Sequence, residues 1–264
     1  MRKQTYDLVF GLGTACSCTE TLRKAKLQLL SFPYDWLAPI CRTPEESAHE
    51  IRSRVHELCD GFSTWFGKGD FRPGPPTPEA SKAIYVNDRL HLIFNHDFPR
   101  GMPYDEAFDL VSARYRRRAD RLIGLIRNAR RILVVRMDRP GQLATTDVGD
   151  CKWARQELSR VFAPAQFDFF LFNYDKGRTY ENRIEETVED GFTRMAFDYR
   201  NYEPGRPDYQ IELDLAGRVL SSRFAVRDYR TAEERRAFAS SRRRRRFARL
   251  VQGLLRILGK PNPT

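Results

Sequence analysis

Three short apolar runs, at 6–10, 131–135 and 167–172, each give way to glycine or polar residues and then to a stretch of helical period. A strand buried on both faces reads as a near-continuous apolar run, and a parallel neighbour is reached only through a crossover, usually a helix. This alternation limits the chain to an α/β fold, with a mainly parallel central sheet flanked by helices. Helices are predicted over 17–29, over 44–59 behind a Thr43 cap with Pro44 at the first position, over 104–128, and over 151–162. The stretch 67–78, rich in proline and glycine, reads as a surface loop. Runs at 83–86 and 90–94, joined at Asn87-Asp88, read as an antiparallel hairpin whose second strand ends in Asn95-His96-Asp97. Beyond Gly191 the pattern is strand-like at 194–199, 210–215 and 218–224. The tail, 231–258, is predicted helical, with Phe247, Leu250, Val251, Leu254, Leu255 and Leu258 on one face behind five arginines at 242–246. The expected organisation is an α/β domain over 1–226 and a basic amphipathic C-terminal helix over 227–264.

The charge is lopsided. The chain carries 46 Lys+Arg against 35 Asp+Glu, a formal +11, yet residues 227–260 alone hold twelve basic and three acidic residues, leaving +2 for the rest. Partners suggested by charge therefore concern the tail. Residues 242–258 suit an anionic membrane surface or, as a second option, nucleic-acid phosphates. The aromatic interleaving that stacks single-stranded bases is missing, and the plain alternative is that the stripe packs on the body or on a second copy. An aromatic content of 12% excludes a disordered chain. No apolar run reaches the roughly eighteen residues of a membrane span. Asp7 and Gly11 interrupt the run behind Met1-Arg2-Lys3, so a secreted protein is not expected. The expected location is cytoplasmic, peripheral to the inner membrane if the tail engages lipid. Five cysteines without a C-x-x-C spacing read as reduced thiols, with no metal site and no cofactor expected.

Ligands of open α/β sheets collect outside the carboxyl ends of the strands. The polar residues at predicted strand ends are Gly13, Thr14, Asn95, Arg136, Asp138, Asn173 and Asp175, and they are the substrate-binding candidates. Cys16 stands where a glycine turn enters a helix, and a helix N-terminus favours a thiolate. Of four histidines, His96 is the best placed to serve as base, with Asn95 and Asp97 beside it to orient the ring. The bland alternative makes Cys16 a small packed residue and His96 an ordinary loop histidine. Gly11-Leu12-Gly13-Thr14-Ala15-Cys16 also partly matches the dinucleotide fingerprint, with Cys16 in place of the third glycine and Asp35 as the distal acid. Two functions follow: a thiol-dependent hydrolase or acyl transferase, or a nucleotide- or sugar-binding transferase-like domain without covalent catalysis. Phe32 to Trp36, an aromatic cluster around Pro33, reads as a core plug holding a buried Asp35.

Asp7-Leu8-Val9, Leu12-Gly13-x-x-Cys16, Leu22-Arg23, Ser31-Phe32-Pro33-Tyr34-Asp35-Trp36 and Asn95-His96-Asp97-Phe98 resemble a bacterial family of unknown function labelled papain-like cysteine peptidase. The resemblance covers roughly residues 6–180. It implies Cys16 as nucleophile, His96 as base, and Asp35 or Asp97 as the third member, acting on a peptide, glycan or small-molecule substrate.

Overall fold

The apolar runs become the strands of a parallel sheet, and the polar residues behind them collect at one edge. In the computed structural model the described residues are 2–13, 15–40, 43–75, 82–138, 146–174, 184–197 and 208–240. The chain divides into two units, Met1–Arg227 and Asp228–Thr264.

The first unit begins with β1 (Gln4–Tyr6), β2 (Leu8–Gly11), α1 (Ala15–Lys24), β3 (Leu37–Pro39) and α2 (Pro44–Cys59). Then come β4 (Phe71–Pro73), β5 (Lys82–Asn87), β6 (Leu92–Pro99), α3 (Tyr104–Asn128), β7 (Arg131–Met137) and α4 (Val148–Val161). It closes with β8 (Gln166–Tyr174), β9 (Ile184–Glu189), β10 (Phe192–Phe197), α5 (Asp208–Arg223) and β11 (Phe224–Val226). The main sheet has the order β2-β7-β8-β10-β9. Its first four strands are parallel, and β9 runs antiparallel to β10.

β1 is separated from β2 by Asp7 alone and pairs in parallel with β11. The Tyr6 carbonyl accepts from Arg227 N at 2.9 Å, while Asp7 N donates to the Arg131 carbonyl at 2.9 Å. Successive residues of a strand aim their polar groups at opposite edges, so β11 and β7 flank this segment from two sides. The chain thus leaves β2 in one direction and returns at its end in the other. That reversal makes the carboxyl end of β2 the switch point of the sheet.

One face buries Val9, Leu133, Val135, Met137, Phe170, Phe172 and Met195 against Cys18 and Leu22 of α1 and Ala216, Val219 and Leu220 of α5. The alternate residues of the same strands, Phe10, Ile132, Val134, Phe169 and Leu171, are equally buried. On that side α4 packs against β8, and α2 packs against α4. An antiparallel sheet, β3-β6-β5-β4, is inserted between α1 and α3. Its core is aromatic, with Phe66, Phe71, Phe94, Phe98, Phe108 and Tyr115 in mutual ring contact.

The structure departs from the sequence reading at several points. α1 stops at Lys24, because Leu27 N turns back to the Leu22 carbonyl at 2.9 Å with Lys26 left-handed at φ 60°. The expected strands at 210–215 and 218–224 are α5, followed by the short β11. Leu213, Ala216 and Leu220 recur at helical spacing and are buried there. The loop 67–78 contains a 3-10 turn, Lys68–Asp70, and β4. Asn95-His96-Asp97 does not end a strand: β6 continues to Pro99 through a bulge facing the stretch between Ala83 and Tyr85. In the second unit, residues 232–240 are helical behind a capping box in which Thr231 N donates to Glu234 and Glu234 N to Thr231. The basic stripe 242–258, Thr14 and Asp175 lie outside the described residues. Among the described residues no helix is long and apolar enough to cross a membrane.

Candidate functional site

Beyond β2 the backbone is clasped to β7, with Leu12 N on the Val135 carbonyl and Met137 N on the Gly13 carbonyl, both at 2.9 Å. Gly13 has φ +108°, a conformation that costs a side-chain-bearing residue dearly. A Cβ at this position would stand 2.9 Å from Arg136 Nη1 and 3.2 Å from Arg54 Cζ and Nη1. Two guanidinium groups therefore rest directly on the glycine backbone, and the next element is the N-terminus of α1, whose first turn holds no acid.

Arg54 and Arg136 are both fully buried. Arg136, from the end of β7, donates Nε to Thr146 Oγ1 at 3.1 Å and Nη1 to the Leu12 carbonyl at 3.0 Å. Arg54, from α2, lies over the Tyr34 ring at 5.2 Å and donates Nη2 to the Leu37 carbonyl at 3.4 Å. Glu50, one turn earlier on α2 and also fully buried, bridges them, with Oε1 on Arg54 Nε and Oε2 on Arg136 Nη1 at 2.7 Å. Glu50 and Arg54 share the face of α2 that carries Ile51, Val55 and Leu58, which is why a charged pair ends up in the interior.

Asp138 fixes the other side. It accepts Thr146 N at 2.9 Å, Thr146 Oγ1 at 2.5 Å and Asn173 Nδ2 at 2.7 Å. Asn173 Oδ1 in turn accepts Arg194 Nε at 2.7 Å. Burial pushes the Asp138 carboxyl up, against the pull of Arg136, Thr146 and Asn173. Burial works against the charge of Arg136 too, but Glu50 and Asp138 outweigh it and hold its guanidinium pKa above the ordinary value. Two donors stay unused in this network: Arg54 Nη1 and Arg136 Nη2 have no hydrogen-bond partner although they are buried. Buried polar groups without partners are rare and costly, and such donors mark where an acceptor belongs.

Of the sequence candidates, the structure brings Gly13, Arg136, Asp138 and Asn173 together at the carboxyl ends of β2, β7 and β8. Cys16 is half-buried in the first turn of α1. Asn95 and His96 sit on β6, in the antiparallel sheet and not at this edge; Asn95 is half-buried and His96 exposed. The His96 ring contacts Trp36, which in turn carries Arg23 of the last turn of α1, about 10 Å along the axis from Cys16. Asp97 is buried on Tyr115 at 2.8 Å and Arg114 at 3.4 Å. Asp35 is buried too, accepting Gln28 Nε2 at 2.7 Å, Phe32 N at 2.9 Å and Thr19 Oγ1 at 3.1 Å. Both carboxylates are thus spoken for by the packing around them, and among the described residues no hydrogen bond joins either to His96.

Glu50, Arg54, Thr146 and Arg194 were not among the sequence candidates. For the first two a signal existed, since a Glu and an Arg four apart fall within the apolar stripe of an amphipathic helix. Compared with family models, with curated proteins and with solved structures, the chain matches none.

Proposed function

We propose that the carboxyl edge of the parallel sheet binds an oxyanion-bearing ligand of the nucleotide or sugar-phosphate class, as a transferase-like domain without covalent catalysis. The observation that carries this reading is the pair of buried donors without hydrogen-bond partners, Arg54 Nη1 and Arg136 Nη2, on two guanidinium groups that pack against Gly13 at the sheet's switch point. The N-terminal amides of α1 supply further donors and a positive dipole end for the same anion. The test is ligand-dependent thermal stabilisation of the full chain by inorganic phosphate and by nucleotide sugars. Wild type and His96→Ala should be stabilised alike, whereas Gly13→Ala and Arg54→Lys should lose the response. Arg54→Lys keeps the buried charge but removes Nη1, so it tests the site even if Gly13→Ala fails to fold. An Arg54→Lys protein stabilised as well as wild type would overturn the reading.

A thiol-dependent hydrolase or acyl transferase is the second reading, and one observation favours it: Cys16 lies in the first turn of α1, where backbone donors support a thiolate and could hold an oxyanion. Its test is the pH-dependence of Cys16 alkylation in wild type and His96→Ala. A reactivity profile unchanged by His96→Ala would remove His96 from the mechanism.

A further inference from the structure

A second basic surface lies on α3, well away from the glycine turn. Residues 114–131 hold eight arginines against one acid, Asp120, so concentrated positive charge is not confined to the tail. Arg114, Arg117, Arg118 and Arg121 stand at i, i+3, i+4 and i+7, which puts them on one flank of the helix. Like charges at these spacings repel one another. Arg114 reaches the buried Asp97 at 3.4 Å, but no ion pair joins Arg117 or Arg118 to a described carboxylate, Asp120 included. Arg118 makes no hydrogen bond among the described residues. Its guanidinium lies over the Tyr115 ring at 4.9 Å, and its Nη1 is buried without a partner.

The last turn of α1 extends this stripe. Arg23 Nη2 donates to Ser31 Oγ at 2.7 Å and Arg121 Nη1 to the Ser31 carbonyl at 3.2 Å, so two helices set guanidinium groups on one residue. The carboxylate nearby, Asp35, is buried and already bonded to Thr19, Gln28 and Phe32. Rings accompany the charge. The half-buried Trp36 carries Arg23 at 5.3 Å and meets the exposed His96 edge-on at 6.1 Å. Trp36 has φ +71°, which a bulky residue adopts only where its surroundings hold it there.

From Arg114 to Arg121 the row runs about 10 Å along the helix axis, longer than one small anion needs. A membrane surface would take the apolar face of a helix, and that of α3 is buried in the core. Charge in a row beside aromatic rings is instead the pattern that tracks a single strand, with phosphates on the arginines and bases on the rings. We propose that this face binds single-stranded nucleic acid without reading its sequence, through Arg23, Arg117, Arg118 and Arg121, with His96 and Trp36 as stacking partners.

The test titrates a fluorescein-labelled thymidine strand of about twelve nucleotides into the full chain, between about 50 and 200 mM salt. Arg117→Gln/Arg118→Gln is compared with Arg116→Gln/Arg127→Gln, which removes the same charge from exposed positions on the other flank of α3. At the lower salt the stripe variant should bind at least about tenfold more weakly, and its salt slope should fall by about 1.4, the share of two phosphate contacts on a single strand. The other pair should lose less than about threefold. Equal losses in the two variants, or none in either, would assign binding to overall charge or to the arginines at 242–246 and overturn the inference. A wild type that does not bind the strand overturns it too. Because Leu110 is exposed one turn before Arg114, vesicles of phosphatidylcholine and phosphatidylserine form a second arm. A stripe variant that loses the vesicles but keeps the strand would make this face a membrane contact, which also overturns the inference. Should the stripe variant not fold, Arg117→Glu, at an exposed residue without an ion pair, decides in its place.

Discussion

Replacing Asp35 separates a structural carboxylate from a catalytic one. In Asp35→Ala three buried donors lose their acceptor: Thr19 Oγ1, Gln28 Nε2 and Phe32 N. An unsatisfied buried donor costs about 1–3 kcal/mol. Gln28 Nε2 keeps a second bond, to the Leu30 carbonyl at 3.0 Å, and the Thr19 hydroxyl can rotate, so only Phe32 N bears the full penalty. Relief of the carboxylate's own desolvation, which raises its pKa, offsets part of the loss. The net expectation is a destabilisation of about 1–3 kcal/mol, or a fall in Tm of about 3–9 °C for a body of this size. Asp35→Asn keeps one acceptor oxygen and should cost about 1–2 kcal/mol. The assay is thermal and urea unfolding followed by tryptophan fluorescence. The chain's three tryptophans, Trp36, Trp65 and Trp153, all precede Asp228, so the signal reports the first unit alone. A loss below about 1 kcal/mol for Asp35→Ala would refute the view that this carboxylate serves the fold.

Two further outcomes are expected. Burial pushes the Cys18 thiol up to about 12 and the Cys59 thiol up to about 11, and raises Cys151 as well, so iodoacetamide at pH 8 should modify Cys16 well ahead of these three, as mapped by peptide mass spectrometry; equal labelling of Cys18 would contradict its burial. The carboxyl groups of Asp35 and Asp138 are raised by burial in the folded chain. The unfolded chain therefore releases those protons first, and stability should decline as pH rises from about 4 through the native values. Urea midpoints across that range should show a shallower decline in Asp138→Asn, and an unchanged slope would exclude Asp138 as its source.

Much of the site could be found in the sequence because parallel strands announce themselves. A run such as Ile132 to Val135 is apolar at every position, and the polar residues that follow must lie at the carboxyl edge. Gly13, Arg136, Asp138 and Asn173 were found that way. The same rule misplaced Asn95, His96 and Asp97, because a bulge inside β6 sets three polar residues in mid-strand and mimics a strand end. Residues 210–215 alternate apolar and polar as a strand would, and only packing against α1 decides for the helix. Glu50 and Arg54 were passed over because an i, i+4 ion pair usually decorates a solvated face. Here the helix is covered on the side where the pair sits, and the one local sign of it is that the pair falls within the helix's apolar stripe of Ile51, Val55 and Leu58.

The insertion between α1 and α3 has a consequence for assembly. The parallel sheet supplies Arg136 and the glycine beneath it, but Arg54 and Glu50 ride on a helix that belongs to the excursion between α1 and α3. The bonds closing the site join positions as far apart as Leu12 and Arg136, 124 residues along the chain. A molecule whose sheet has formed but whose excursion has not docked holds half of the clamp, with one arginine lacking its counter-ion. On the proposed reading of this edge as an oxyanion site, an anion present during refolding would draw the population toward the docked form by mass action.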